Sequence, residues 1–409
     1  MTASPPVLVT LRRQGQSGRR GWVRHPASLA AVGYLLIRAV GVLALTWSPA
    51  RDGRPLVQVL GIWDGGWYVR IAEAGYADHL DLSSPLTDQS TGSLAFFPGY
   101  PMLIRMVSGL TGLDSQWVGV GISLVAGAVA AAGIAVLASD WAGLRVGVLA
   151  ALLWAAAPMA VVGSMVYTEA LFTALAVWAF VALRRHSWLL AGVLGGAAGL
   201  TRPTGIAVGI TVAAYAGWTW WRNTHPDSAP ADGEPGSARS GALVLVAAGL
   251  ALAGTPTFWL WVATRAGRWD GWFAVQDAFW GSRFDGGTSL LTLAGNVITG
   301  KAPPGVEMLS AAAVLCLLAA VGLLGLAVRS QVWWPLVLYA AVSLVMVIGS
   351  AGYVSSKLRF LVPIFVLAFP LARWLAGRSR AMQVLAVLSA VVATTVIGTW
   401  LLQSWPYAI

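Results

Sequence analysis

Apolar positions along the chain come in long blocks. Runs of about 20 residues, the length a helix needs to cross a bilayer, recur between short polar or basic stretches. They predict about eleven transmembrane helices, near residues 28–47, 117–138, 146–162 and 165–183, a pair within 188–221, then 242–262, a span ending at Arg329, 332–350, a span returning to Arg373, and 382–402. Segments 48–116 and 263–306 are too long and too polar to be turns and are expected to be large loops. Within the first, the short apolar piece 96–110 predicts a juxtamembrane helix with Arg105 at its edge. Residues 222–240, rich in Pro, Gly, Asp and Ser, predict a flexible loop. No repeat of fixed period is visible. The expected class is an all-α polytopic membrane protein, with a basic segment 1–27 followed by one integral membrane domain, 28–409.

Composition sharpens this. Of 409 residues, 57% are hydrophobic and 10% charged, against roughly 25% charged in soluble domains, and mean hydropathy is +0.72. The net charge of +10 follows the expected topology. Roughly fourteen basic and four acidic residues fall in loops assigned to the cytoplasm, and about eleven basic and twelve acidic in loops assigned outside. The basic excess is therefore a positive-inside signal and calls for no nucleic-acid partner. It orients the N-terminus inward and segments 48–116 and 263–306 outward. The segment before the first span is basic and lacks an apolar core of its own, so no cleavable signal peptide is expected. Cys316 is the single cysteine, which excludes an intramolecular disulfide. His25, His79, His186 and His225 form no ligand spacing, and neither a metal nor another cofactor is expected.

On this map several ionisable residues gather on the outer side. Asp64 stands between Trp63 and Trp67, just after the first span. It is either a helix N-cap or a general base for a hydroxyl; both hold only if one carboxylate oxygen stays free. Glu169, at the outer end of a span, either reaches water or caps that span, or else orients a sugar hydroxyl or pairs with Arg202 at the outer turn of the 188–221 hairpin. Lys357 and Arg359, two apart at a helix start, suit a phosphate or anionic headgroups. Arg38 lies within the first span, where an ionisable residue is either a functional candidate or the partner of an acid on a neighbouring helix. Asp78 and His79 read as solvated loop residues, and the second Trp-Asp-Gly, at 269–271, as a turn.

These residues resemble a known family. Trp63-Asp64-Gly65-Gly66-Trp67-Tyr68, Ile71-Ala72-Glu73-Ala74-Gly75-Tyr76 and Ala95-Phe96-Phe97-Pro98-Gly99-Tyr100-Pro101 are similar to successive signatures of the PIG-V-like mannosyltransferases, the family of the second GPI mannosyltransferase, within the GT-C glycosyltransferases. Val166-Tyr167-Thr168-Glu169-Ala170, Thr201-Arg202-Pro203 and Arg359-Phe360-Leu361-Val362-Pro363 match later blocks more loosely. The Ala-, Gly-, Val- and Arg-rich usage suggests an actinobacterial source. The resemblance implies a GT-C fold and inverting transfer of mannose from a polyprenyl-phosphate-mannose donor to a hydroxyl of a lipid-linked or glycan acceptor, giving an α-mannoside. It implies Asp64 as base. Lys357 and Arg359, then Arg202, would stabilise the departing phosphate, with Trp63, Trp67, Tyr68, Glu73, Glu169 and Arg38 as further substrate-binding candidates. Alternatives are another polyprenyl-phosphate-sugar-dependent glycosyltransferase of the same fold, a lipid-linked sugar flippase or transporter, and a structural subunit.

Overall fold

The computed structural model describes residues 19–47, 53–81, 90–225, 238–301 and 306–405. Arg12, Arg13 and most of loop 222–240 lie outside the described residues. The first long connecting segment follows α1 (Arg19–Trp47) and contains α2 (Leu56–Leu60), α3 (Asp64–Ala74) and α4 (Gly99–Thr111). The body continues through α5 (Ser115–Ala142), α6 (Leu144–Ala155), α7 (Glu169–Arg184), α8 (Trp188–Gly199), α9 (Gly205–Thr224) and α10 (Ala238–Ala266). The second long connecting segment holds α11 (Gly271–Trp280) and α12 (Thr288–Ile298). The chain ends with α13 (Glu307–Arg329), α14 (Trp334–Gly349), α15 (Val354–Phe360), α16 (Ala368–Ala376) and α17 (Arg380–Ser404). The only β-type pairing among the described residues is an isolated antiparallel bridge, Phe284–Ser350.

Stretches of α1, α5, α10, α13 and α17 are long and apolar enough to cross a bilayer. With the shorter apolar helices between them, they make this an all-α polytopic membrane protein. The short piece at 96–110 is the amphipathic α4, which stops where Gly112 takes a left-handed conformation, φ 71°. α8 and α10 pack closely through glycines: a Cβ on Gly254 would lie 2.0 Å from the Gly196 carbonyl oxygen. Small residues allow this backbone approach in lipid, where water gives helices no reason to associate.

Two expected spans are broken. The run 146–162 is helical only to Ala155; twelve residues rise about 18 Å, short of the roughly 30 Å core. Pro158 lacks the amide a continuing helix would need, and its ring crowds the preceding turn. The chain then runs as buried, mostly irregular backbone to Glu169, so α7 starts four residues later than the apolar run alone suggests. Likewise the span expected to return to Arg373 is split at Pro363 into α15 and α16.

Carbonyls freed at such breaks need partners within the protein. Trp154 Nε1 donates to Val362 O at 2.9 Å, and the Tyr339 hydroxyl to Pro363 O at 2.9 Å. At the first break the partner is Arg38, whose guanidinium donates to the carbonyls of Ala155 and Ala160.

Candidate functional site

Asp64 occupies the first turn of α3 and does not cap it. The residue before the helix, Trp63, holds φ 57° and makes no side-chain cap bond. Such a dihedral is strained for a tryptophan, and it turns the chain sharply from α2 into α3. Asp64 and Tyr68, one turn apart, share a face of α3 and line a cavity of about 310 Å³. Glu73, nine residues on, lies half a revolution round the helix and is exposed.

The segment Phe96-Phe97-Pro98-Gly99-Tyr100 fixes the neighbouring wall. Gly99 N donates to Leu200 O at 2.7 Å. A Cβ on Gly99 would stand 2.9 Å from that oxygen and 2.8 Å from Thr201 Cγ2. Only glycine brings α4 this close to the turn that carries Arg202. The Tyr100 hydroxyl bonds Gly119 O and Ser123 Oγ, both at 2.8 Å, and Ser123 Oγ donates to Tyr167 O at 3.1 Å. The first connecting segment is thereby tied to the irregular stretch leading to Thr168 and Glu169.

These anchors assemble a charged cluster. Arg359 Nη1 donates to Asp64 Oδ2 at 2.6 Å, and its Nε faces Glu169 Oε1 at 3.2 Å. Arg202 Nη1 lies 2.5 Å from the same Glu169 oxygen and donates to Thr168 Oγ1 at 2.9 Å. Exposure of the side chains is 16% for Asp64, 7% for Arg359 and 1% for Glu169. The Arg359 guanidinium also lies over the rings of Tyr167 and Phe360, and that of Arg202 over Phe360. Two acids and two arginines therefore neutralise one another where single charges would be costly. Tyr68 OH is 3.4 Å from Thr168 Oγ1. Burial pushes the Tyr68 phenol well above its ordinary range, and the Asp64 carboxylate adds to the rise.

Lys357 lines the cavity but stands apart from this cluster. Its ammonium donates to Val347 O at 2.9 Å and to Ser350 O, at the C-terminal end of α14, where carbonyls lack helical partners. The second connecting segment closes the far side. Trp272, Gln276, Trp280, Arg283 and Phe284 line the cavity there. Ala351 N donates to Arg283 O and Asp285 N to Gly349 O. Trp272 Nε1 and Gln276 Nε2 both donate to Ala95 O, joining the two connecting segments.

The structure thus brings Asp64, Tyr68, Arg202, Lys357 and Arg359 to one cavity, with Glu169 buried directly behind its charged wall. It does not bring Arg38, which serves the break after α6, nor Trp63 and Glu73. Trp67 packs behind the wall, stacked on Phe96 at 5.5 Å and edge-on to Trp280. Thr168, Gln276 and Arg283 were not legible as wall residues; only the tryptophan density of 263–306 hinted at that side. Asp270 of the second Trp-Asp-Gly pairs locally with Arg268 at 2.6 Å, as a turn. Among the described residues, no group of three or more His, Cys, Asp or Glu side chains is placed to hold a metal ion.

Comparison with known proteins adds two likenesses. Residues 95–229, about a third of the chain, match the family model described as dolichyl-phosphate-mannose-protein mannosyltransferase. In structure the chain is similar to ArnT from Cupriavidus metallidurans bound to undecaprenyl phosphate, at TM-score 0.49 and 17% sequence identity. That alignment covers 90% of this chain and 62% of the length of the other. No curated protein matches in sequence.

Proposed function

We propose that this protein is a membrane glycosyltransferase of the GT-C type, which transfers mannose from a polyprenyl-phosphate carrier to a hydroxyl of a lipid-linked or glycan acceptor. The observation that carries the reading is the wall of one cavity. It presents a single acid, Asp64, beside Arg202, Arg283, Lys357 and Arg359. A carboxylate facing clustered cations suits a reaction that removes a proton at one end of a displacement and releases a phosphate at the other. The match of residues 95–229 supports the donor class, because it includes Phe97, Thr168 and Arg202. The signature around Trp63-Asp64-Gly65 supports a PIG-V-like enzyme. The positive-inside bias supports a site on the extracytoplasmic face.

In this mechanism the free oxygen of Asp64 accepts the acceptor's hydroxyl proton. The acceptor oxygen bonds the anomeric carbon as the bond from that carbon to the phosphate oxygen breaks. The electron pair leaves on polyprenyl phosphate, and the carbon inverts from a β-linked donor to an α-linked product. Arg359 and Arg202, already oriented by Glu169 and Thr168, oppose the charge developing on the leaving phosphate in a water-poor setting, where fixed cations act strongly. The apolar wall of Phe96, Phe97 and Trp280 excludes water from the anomeric carbon.

The test is incubation of purified protein with radiolabelled polyprenyl-phosphate mannose and native membrane extract. A labelled α-mannoside is expected from wild type. Asp64→Asn, still folded, is expected to lose about 10²–10⁴ in rate, the usual worth of a general base. Movement of labelled lipid across vesicles without any glycoside would overturn the reading in favour of a transporter.

A further inference from the structure

We propose that the donor phosphate and Asp64 compete for the same guanidinium, so that the base is released only once the donor is seated. The inference rests on the glycosyltransferase reading above and assigns its binding order. Each cation on the cavity wall has a partner, and the partners differ in kind. Lys357 is held by the carbonyls of Val347 and Ser350. Arg202 is held by Glu169 and Thr168. Arg283 pairs with Asp277 at the exposed rim. Arg359 alone among these four is held by the candidate base itself, at 2.6 Å.

An incoming phosphate that recruits Arg359 must therefore change the bonding of Asp64. For Arg359 the exchange is balanced in charge. Arg359 keeps its contact with Glu169 and swaps one anionic oxygen for another. Neither guanidinium is left unpaired, which in this buried cluster would be strongly unfavourable. Asp64, the most exposed member of the cluster, gives up a guanidinium and gains the acceptor hydroxyl, which donates to it. Before the donor arrives, one carboxylate oxygen is bonded to a cation, which weakens the other as a base toward a stray hydroxyl or water. The donor thus binds first and the acceptor second.

Competition has a reciprocal signature: whatever Asp64 contributes to holding Arg359 is subtracted from phosphate affinity. The experiment measures binding of polyprenyl phosphate, presented in nanodiscs, to wild type, Asp64→Asn, Arg359→Gln and the double variant. Asp64→Asn is expected to bind tighter by roughly 5–150-fold, the range of typical coupling between sites. In the Arg359→Gln background the same change is expected to have no effect. Tightening that survives there is simple repulsion between two anions and overturns the exchange while leaving the enzyme reading intact. If wild type does not bind polyprenyl phosphate, both readings fall together. Should Arg359→Gln not fold, infrared difference spectra of wild type and Asp64→Asn decide. Binding is expected to shift a carboxylate stretch in wild type that is missing from Asp64→Asn, and an unshifted carboxylate region refutes the exchange.

Discussion

Glu169→Gln removes the anion that two arginines share. The carboxylate is 1% exposed and meets Arg202 at 2.5 Å and Arg359 at 3.2 Å. At an effective dielectric near 20, charge centres about 4 Å apart attract by roughly 4 kcal/mol per pair. Part of that is returned because the carboxylate no longer has to be desolvated. What remains is a surplus positive charge buried beside Phe360 and Tyr167, and breaking a buried pair from one side costs about 3–5 kcal/mol. The assay is thermal and denaturant unfolding of detergent-purified protein, in a double-mutant cycle with Arg202→Met. Glu169→Gln alone is expected to fall in that range, and the double variant, with balance restored by Asp64 and Arg359, is expected to recover more than half of the loss. A loss below about 1 kcal/mol, or strict additivity of the two changes, would refute the neutralisation argument.

Three other outcomes are expected. Gly99→Ala pushes a methyl against the Leu200 carbonyl and shifts the turn before Arg202, so a loss of about 1–3 kcal/mol should come with a fall in turnover; unchanged turnover in the stably folded variant would mean that Arg202 placement is immaterial. Lys357→Met leaves the Val347 and Ser350 carbonyls without their ammonium, and hydrogen exchange at the end of α14 should rise while polyprenyl-phosphate affinity falls less than in Arg202→Met. Asp285 accepts from the Ser289 hydroxyl and amide and the Gly287 amide, which hold its carboxyl well below the usual range. A depressed folded value gives stability that is complete above the unfolded value, about 3.9, and is lost as pH falls through the folded one. Exchange protection of the first turn of α12 should therefore persist through pH 4, and early loss in step with ordinary carboxylates would contradict it.

The long helices were legible because hydropathy over 20 residues reports on the environment and needs no partner. The juxtamembrane helix was legible because its apolar run is bounded by Pro98 and Gly112. The two broken spans were not, although Pro158 and Pro363 stand in plain view. A proline permits a break without fixing where the chain resumes, and it resumes where Arg38, Trp154 and Tyr339 supply donors. Arg38 was singled out by its depth in the membrane, yet depth cannot separate a ligand from a patch over a gap in helical bonding. Asp64 and Arg359 were each conspicuous as charges, but their pairing depends on α3 and α15, 295 positions apart at the contact, being brought together by the fold. Lys357 and Arg359 looked equivalent, being two apart. On the short α15 that spacing turns them some 200° apart, one toward the end of α14 and one toward Asp64.

The contact between Asp64 and Arg359 spans 295 positions of chain. At about 5–20 residues per second of synthesis, roughly 15–60 s separate the emergence of the first partner from that of the second. Through that interval Asp64 and Glu169 have only Arg202, of the two arginines that later join them, to balance their charge. Chains stalled before α15 therefore retain an acid whose guanidinium partner has not yet been made, a physical difference between an unfinished molecule and a finished one.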